Sequence, residues 1–449
     1  MSEPANPASA AAGATRKLPG RLANRNFLLL WQGQAVSQLG NQAFAVAMAF
    51  WIVEKTGSAS LMGFVLMSSN LPGVLLGPLG GAVADRFPRI RIIILADLVA
   101  SLGLLGLSFA MLGTGWGTRT IIGLLFAASF TEGVARAFFL PALAAAIPDL
   151  VPAERLAAAN SMNQFSLQAS LLLGQGIGGV LYRLLGAPVL FLADGLSFLF
   201  SAVSEGFVQL PPTPRKKTAI GGTVRQFATE IREGFEYMRG KRGLLGFVLS
   251  AACFNLFVMP VFVLLPFFVR NYLRVGADWY GFLLAAISAG VIVGFLLAGL
   301  LRLEGRGRSR FVVGLMLFAP VPFLVTAFVR ATLLALAISF VLGMVVGLIN
   351  VYVMTTLQAT TPSELRGRVM GLLNTLTGGL VPIGMAVGGV VGDLTGKNVP
   401  LVYTSCGLII LLSTLLAVGR RSTRDFLAYE LPPPAEETPA AGDEGGGAS

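Results

Sequence analysis

Twelve apolar segments, each about as long as a helix must be to cross the hydrocarbon core of a bilayer, fill most of this chain. They fall at roughly 26–53, 61–85, 91–113, 119–148, 155–182 and 187–210, then 243–272, 278–301, 311–329, 331–359, 367–395 and 399–419. Lipid offers no hydrogen bonds to a backbone, so only helices and closed barrels span it, and long apolar runs without strict alternation require helices. The expected fold is all-α: a polytopic membrane protein with twelve transmembrane helices in two groups of six. The composition agrees, because 12% charged residues is about half of what a soluble domain carries.

Charge then orients the segments. With the first residues placed inside, 25 lysines and arginines fall on the inner side and 7 on the outer, which predicts both termini in the cytoplasm of a cell whose inner membrane holds the chain. The net charge of +11 is interleaved with apolar spans and not gathered on a soluble basic domain, so no nucleic-acid partner is expected. The first twenty or so residues lack an apolar core and do not read as a cleaved signal peptide. Cys253 and Cys406 sit in separate apolar spans, unlike a disulfide framework or thiolate metal site. The absence of histidine removes histidine proton relays, zinc sites and the usual catalytic triads. Gly396-Lys397 is followed by Asn398 and Gly240-Lys241 by Arg242, so no phosphate-binding loop is completed. No catalytic residue, metal or cofactor is expected, and the chain does not read as an enzyme.

The segments divide the chain into a disordered N-terminus (1–24), a six-helix half (25–210), a cytoplasmic linker (211–242), a second six-helix half (243–420) and a disordered tail (421–449). The linker reads as an amphipathic surface helix, with Val224, Phe227, Ile231, Phe235 and Met238 on one side and Arg232, Glu233, Glu236 and Arg239 on the other. The halves also repeat. A shift of 210 carries Pro152, Glu154, Gly174 and Gly178-Gly179 onto Pro362, Glu364, Gly384 and Gly388-Gly389; a shift of 218 carries Ala59, Gly63-Phe64 and Gly81 onto Ala277, Gly281-Phe282 and Gly299.

Between the second and third segments stands Gly81-x-x-x-Asp85-Arg86-x-x-Arg89. The small residues allow close helix approach, and Asp85 is placed to accept hydrogen bonds from a neighbouring helix start. This pattern resembles the loop between helices 2 and 3 of major facilitator superfamily transporters, where it stabilises the outward-facing state. The resemblance implies two parallel six-helix repeats with substrate bound between them near the midplane, and a cytoplasmic gate made of Gly81, Asp85, Arg86 and Arg89 with Glu154 and Glu364 on equivalent inner loops. The second half has Leu303 where the first has Asp85, followed by Glu304, Arg306, Arg308 and Arg310, so its copy of the motif is degenerate. Trp31-Gln-Gly-Gln-Ala-Val-Ser37, Glu54-Lys-Thr-Gly-Ser-Ala59, Ala96-Asp97-Leu98 and Pro141 through Leu156 resemble the drug-exporting branch that includes macrolide efflux proteins and enterobactin exporters. Gly174, Gly178 and Gly179 resemble the antiporter motif of exporting members, with Gln175 replacing its proline and leaving the motif's kink in question.

Charges inside a bilayer invite a functional reading. The proton-coupling candidates are Glu132, with Asp194 and Asp97 in reserve. Glu132 and Arg136 are spaced to pair on one helix face, as coupling partners or as a structural ion pair. Asp97 is also placed to join Arg86 or Arg89 in the gate, and Glu205 reads as interfacial. The resemblance places segments 1, 4, 7 and 10 around the cavity, which selects Gln38, Asn41, Glu132, Arg136, Asn255 and Asn350 as substrate contacts. An acid beside Phe44, Phe138, Phe254 and Phe257 would suit an amphipathic or cationic molecule.

These features point to a monomeric secondary transporter, with a small-molecule substrate, protons and the lipid bilayer as its partners. The expected activity is efflux of a drug, macrolide-like compound or siderophore. A lysophospholipid or nutrient transporter of the same fold stays open as an alternative, as does a non-transporting receptor or scaffold.

Overall fold

A computed structural model of the chain describes residues 24–209, 229 and 232–428 except 114, 242 and 302, together with the backbone but not the side chain of Glu364. The expected disordered N-terminus up to residue 23, most of the linker, with Val224, Phe227 and Ile231, and the tail from 429 lie outside the described residues.

Helix ends follow local chemistry. α1 (Arg25–Thr56) begins where the Asn24 side chain accepts from Phe27 N–H, and ends at Gly57, whose φ of 61° is a left-handed cap. Ser58 then caps α2 (Ala59–Arg86). The Phe87-Pro88 turn separates α2 from α3 (Arg89–Leu112), and α4 (Thr118–Leu150) follows. Residues Leu156–Gly206 form one helical run that is too long for a single crossing. It breaks at Gly186, where φ 77° and ψ 171° suit only glycine, into α5 (156–185) and α6 (187–206). No break occurs at Gln175, so the motif lacking its proline lies in unbroken helix.

The second half contains α7 (Leu244–Phe267), which ends in a π-helical turn (Phe268–Leu273), and α8 (Ala277–Leu300). Its third crossing is split at Pro320 into α9 (Gly305–Phe318) and α10 (Val321–Thr326). α11 (Thr332–Thr360), α12 (Ser363–Leu394) and α13 (Val399–Gly419) complete it. The result is an all-α bundle with twelve crossings and no strand among the described residues.

Two differences from expectation stand out at the ends. The tail begins as a helix, α14 (Arg421–Leu427), because Phe426 and Leu427 are buried and Phe426 packs on Phe247 at 6.4 Å between ring centres. In the linker, residues 232–240 are helical, but Met238 is buried while Phe235 is exposed. That piece is pinned by polar contacts, Glu233 with Arg368 of α12 and Lys241 with the Thr360 carbonyl.

α1 packs on the α5–α6 run, α2 on α4 and α3 on α4 and α6; in the second half α7 packs on α12 and α13, and α8 on α11. The halves meet along two seams, α2 with α12 and α5 with α8.

Candidate functional site

Both seams are tight at the end of the bundle opposite the arginine-rich loops. An added Cβ at Gly63 of α2 would sit 2.3 Å from the Met385 carbonyl, and one at Gly389 of α12 would sit 2.5 Å from that of Ala59. In the other seam a Cβ at Gly179 would lie 2.4 Å from the Ala277 carbonyl, and one at Gly281 2.4 Å from that of Gln175. Helix backbones therefore touch, as small residues allow. Asp393, at the end of α12, accepts from Ser58 Oγ (2.8 Å), Ala59 N–H (2.9 Å) and Ser60 N–H (2.8 Å) at the start of α2. Its carboxylate thus meets the positive end of a helix in the other half. Arg270 donates to the Val53 carbonyl at 2.7 Å, and Arg183 pairs with Asp278 at 3.0 Å.

Toward the arginine-rich end α2 and α12 diverge beyond an approach at Gly379, where a Cβ would lie 3.7 Å from Val74 Cγ1. Nothing lies within 4 Å of a Cβ built on Gly73, Gly77 or Gly81 of α2, or on Gly367, Gly371 or Gly378 of α12. A cavity of about 570 Å³ opens there, walled by Asn70, Gly73, Gly77, Arg136, Asn374 and Gly378. A smaller cavity of about 180 Å³ lies within the first half, bordered by Gln38, Asn41, Asp97, Glu132, Phe139 and Phe198 among others. Arg136 borders both.

The structure brings Gln38, Asn41, Glu132 and Arg136 to one cavity. Glu132 Oε1 accepts from Asn41 Nδ2 at 2.8 Å, a bond from α1 to α4, while among the described residues Glu132 and Arg136 form no ion pair. The expected pairing along one helix face gives way to a bond across helices, and the Arg136 side chain is left exposed between the two cavities. Asn255 donates to the Ala251 carbonyl of its own helix and Asn350 is exposed, and neither borders these cavities. Phe44 and Phe254 pack on Phe191 and Phe323 in the core. The cavity's aromatics are Phe139 and Phe198, both absent from the sequence-based set.

The three other acids are placed differently than their sequence positions suggest. Asp97 turns away from the arginines, because Arg89 bonds the Ala145 carbonyl and Asp149. It borders the smaller cavity and lies across Ser201 from Glu205. Glu205 is fully buried within the bundle, accepting from Gln34 Nε2 at 2.7 Å and Ser201 Oγ at 3.3 Å. Asp194 is buried against Gly40 of α1 and accepts from Ser197 Oγ. Of the gate residues, Asp85, Arg86 and Glu154 are exposed, and Asp85 makes no hydrogen bond or ion pair among the described residues.

Gly174 and Gly178 lie against α1, near Leu39 and Ala43, and Gly179 lies against α8. Gln175 connects the halves: its Nε2 donates to Gln42 Oε1 at 3.1 Å, and its Oε1 accepts from Ser288 Oγ at 3.3 Å.

A model of the Major Facilitator Superfamily matches residues 30–384. Macrolide efflux protein A of Streptococcus pyogenes is 27% identical over 277 residues, which cover 61% of this chain and 66% of that protein. Enterobactin exporter EntS of Escherichia coli O139:H28 is 28% identical over 233 residues, 51% of this chain and 52% of that protein, so the matches span about two thirds and one half of these relatives. The crystal structure of a bacterial homologue of the iron transporter ferroportin, in an inward-facing state, superposes with a TM-score of 0.66 at 16% identity, covering 89% of this chain and all of the other. The chain belongs to the Major Facilitator Superfamily and is a multi-pass membrane protein.

Proposed function

We propose that this transporter exports a hydrophobic or amphipathic, cation-bearing small molecule from the cytoplasm across the inner membrane, as a monomer driven by the proton gradient. The observation that carries the reading is the asymmetry of the bundle: cavities open at the arginine-rich end and two seams shut at the other. With both termini cytoplasmic, this is an inward-open state, poised to take substrate from inside. The smaller cavity supplies Glu132 and Asp97 beside Phe139 and Phe198, a surface suited to an apolar body carrying a positive charge. The exporter relatives support the direction. Cysteines at Ser422 and Thr118 test the topology: the first should label only from the cytoplasm and the second only from outside.

Glu132 is the proposed coupling carboxylate, reached from α1 through Asn41 and with Arg136 one turn away. Drawing Asn41 aside as the cavity closes would strip the carboxylate of its donor and favour uptake of a proton there. In proteoliposomes, Glu132→Gln should still bind a cationic amphiphilic dye, more weakly, through Asp97, Phe139 and Phe198, but lose uncoupler-sensitive efflux by tenfold or more. Undiminished efflux would remove Glu132 from this role.

A further inference from the structure

The two halves treat one arginine differently. In the first, Arg89 starts the third crossing and reaches the last turns of the fourth, where it bonds the Ala145 carbonyl and the Asp149 carboxylate. In the second, Arg308 stands in the first turn of α9 and likewise reaches the last turns of the fourth crossing, at Thr356 of α11. There the counterpart of Asp149 is missing. Arg308 is only 7% exposed, yet among the described residues no carboxylate pairs with it.

The guanidinium edge formed by Nε and Nη2 is a fork that fits two oxygens of one anion. At Arg308, Nη2 donates to Thr356 Oγ1, while Nε is buried with no partner. Thr356 offers one oxygen, and its own hydroxyl donates to the Tyr352 carbonyl. A buried cation without a counter-ion is costly, and half of its fork is unfilled.

We propose that Arg308 is an anion-binding site for the phosphate of an anionic phospholipid headgroup. The chemistry fits phosphate, which fills an arginine fork as a carboxylate does. The place fits a lipid: the site lies at the arginine-rich end, where Arg306, Arg310 and Arg424 add charge and Leu300 and Leu301 are exposed beside it for acyl chains. It is separate from the transport cavities, which Arg308 does not border.

Native mass spectrometry of the intact protein tests this with phosphatidylglycerol, phosphatidylcholine and inorganic phosphate in parallel. The expected result is retention of phosphatidylglycerol over phosphatidylcholine, reduced about tenfold in Arg308→Gln. Thr356→Asp gives the second half its own version of Asp149; this variant should displace the lipid as fully while preserving the thermal midpoint. Equal retention of both lipids by the wild type would overturn the proposal, as would undiminished phosphatidylglycerol binding by Thr356→Asp. Binding of inorganic phosphate without lipid preference would make it a free-anion site and overturn the lipid assignment.

Discussion

The two ends of the α2–α12 seam are built from the same residue type and behave oppositely. At one end Gly63 and Gly389 lie where a Cβ would collide with backbone; at the other, Gly73, Gly77, Gly371 and Gly378 face open space. Glycine weakens a helix by about 1 kcal/mol relative to alanine, so a glycine with nothing near it has no explanation in the present packing. It acquires one if the open end also closes. Under the alternating-access reading, a small-residue track along both helices lets them meet at either end, and the structure shows one of the two meetings.

The largest expected effect comes from substituting one glycine at each end. Gly389→Leu forces a branched side chain into a contact already full at Cβ, and overpacking of this kind costs about 1–3 kcal/mol. The thermal midpoint should fall and transport should be lost. A Cβ at Gly77 meets nothing within 4 Å, so Gly77→Leu should not lower the thermal midpoint, while transport is lost equally because the arginine-rich end can no longer close. Equal stability losses would erase the distinction between the ends.

Asp393 comes next in expected effect. It accepts three hydrogen bonds from the other half, and bonds to a charged group contribute about 1.5–3 kcal/mol each. Asp393→Ala should therefore raise the population opened at the sealed end about tenfold or more. A lengthened distance between spin labels at Thr118 and Leu401 would report it; an unchanged distance would assign closure to the glycine contacts alone.

How much of this the sequence disclosed depends on the kind of signal. Segment length made the crossings readable, and glycines that the repeat shifts pair are ones that meet in the seams. Gly63 and Gly281 correspond under one shift and Gly179 and Gly389 under the other, and in the structure Gly63 meets α12 near Gly389 while Gly281 meets α5 near Gly179. Partner choice was not readable, because helices that are apolar all round carry no face to say which neighbour they meet. Glu132 thus turns to Asn41 and away from Arg136, and Glu205 is buried by Gln34. One signal was available for Asp393: the shift of 210 that aligns the glycines carries Arg183 onto it.

Asp85 bears on the open end. It stands exposed and unbonded at the end of α2, so Asp85→Asn should leave the thermal midpoint unchanged. If Asp85 latches that end when closed, transport should fall several-fold and the inward-open population should rise. Wild-type transport would exclude it from the gate.

The smallest effect belongs to the sibling seam. Arg183 of α5 pairs with Asp278 at the start of α8, in the place where α12 sets Asp393 against the start of α2. The contacts correspond in the repeat but differ physically. Asp393 binds backbone N–H groups that need an acceptor, whereas the Arg183 side chain is 69% exposed and its partner 15%. Exposed ion pairs contribute about 0–1 kcal/mol and weaken with salt. Arg183→Gln should therefore lengthen the Thr118–Leu401 distance in few molecules, and less at high salt than at low, while the sealed end stays closed through Gly179, Gly281 and Gln175. An effect as large as that of Asp393→Ala would mean that the two seams share the latch equally, and that charge holds the sealed end more than the carboxylate's grip on the start of α2.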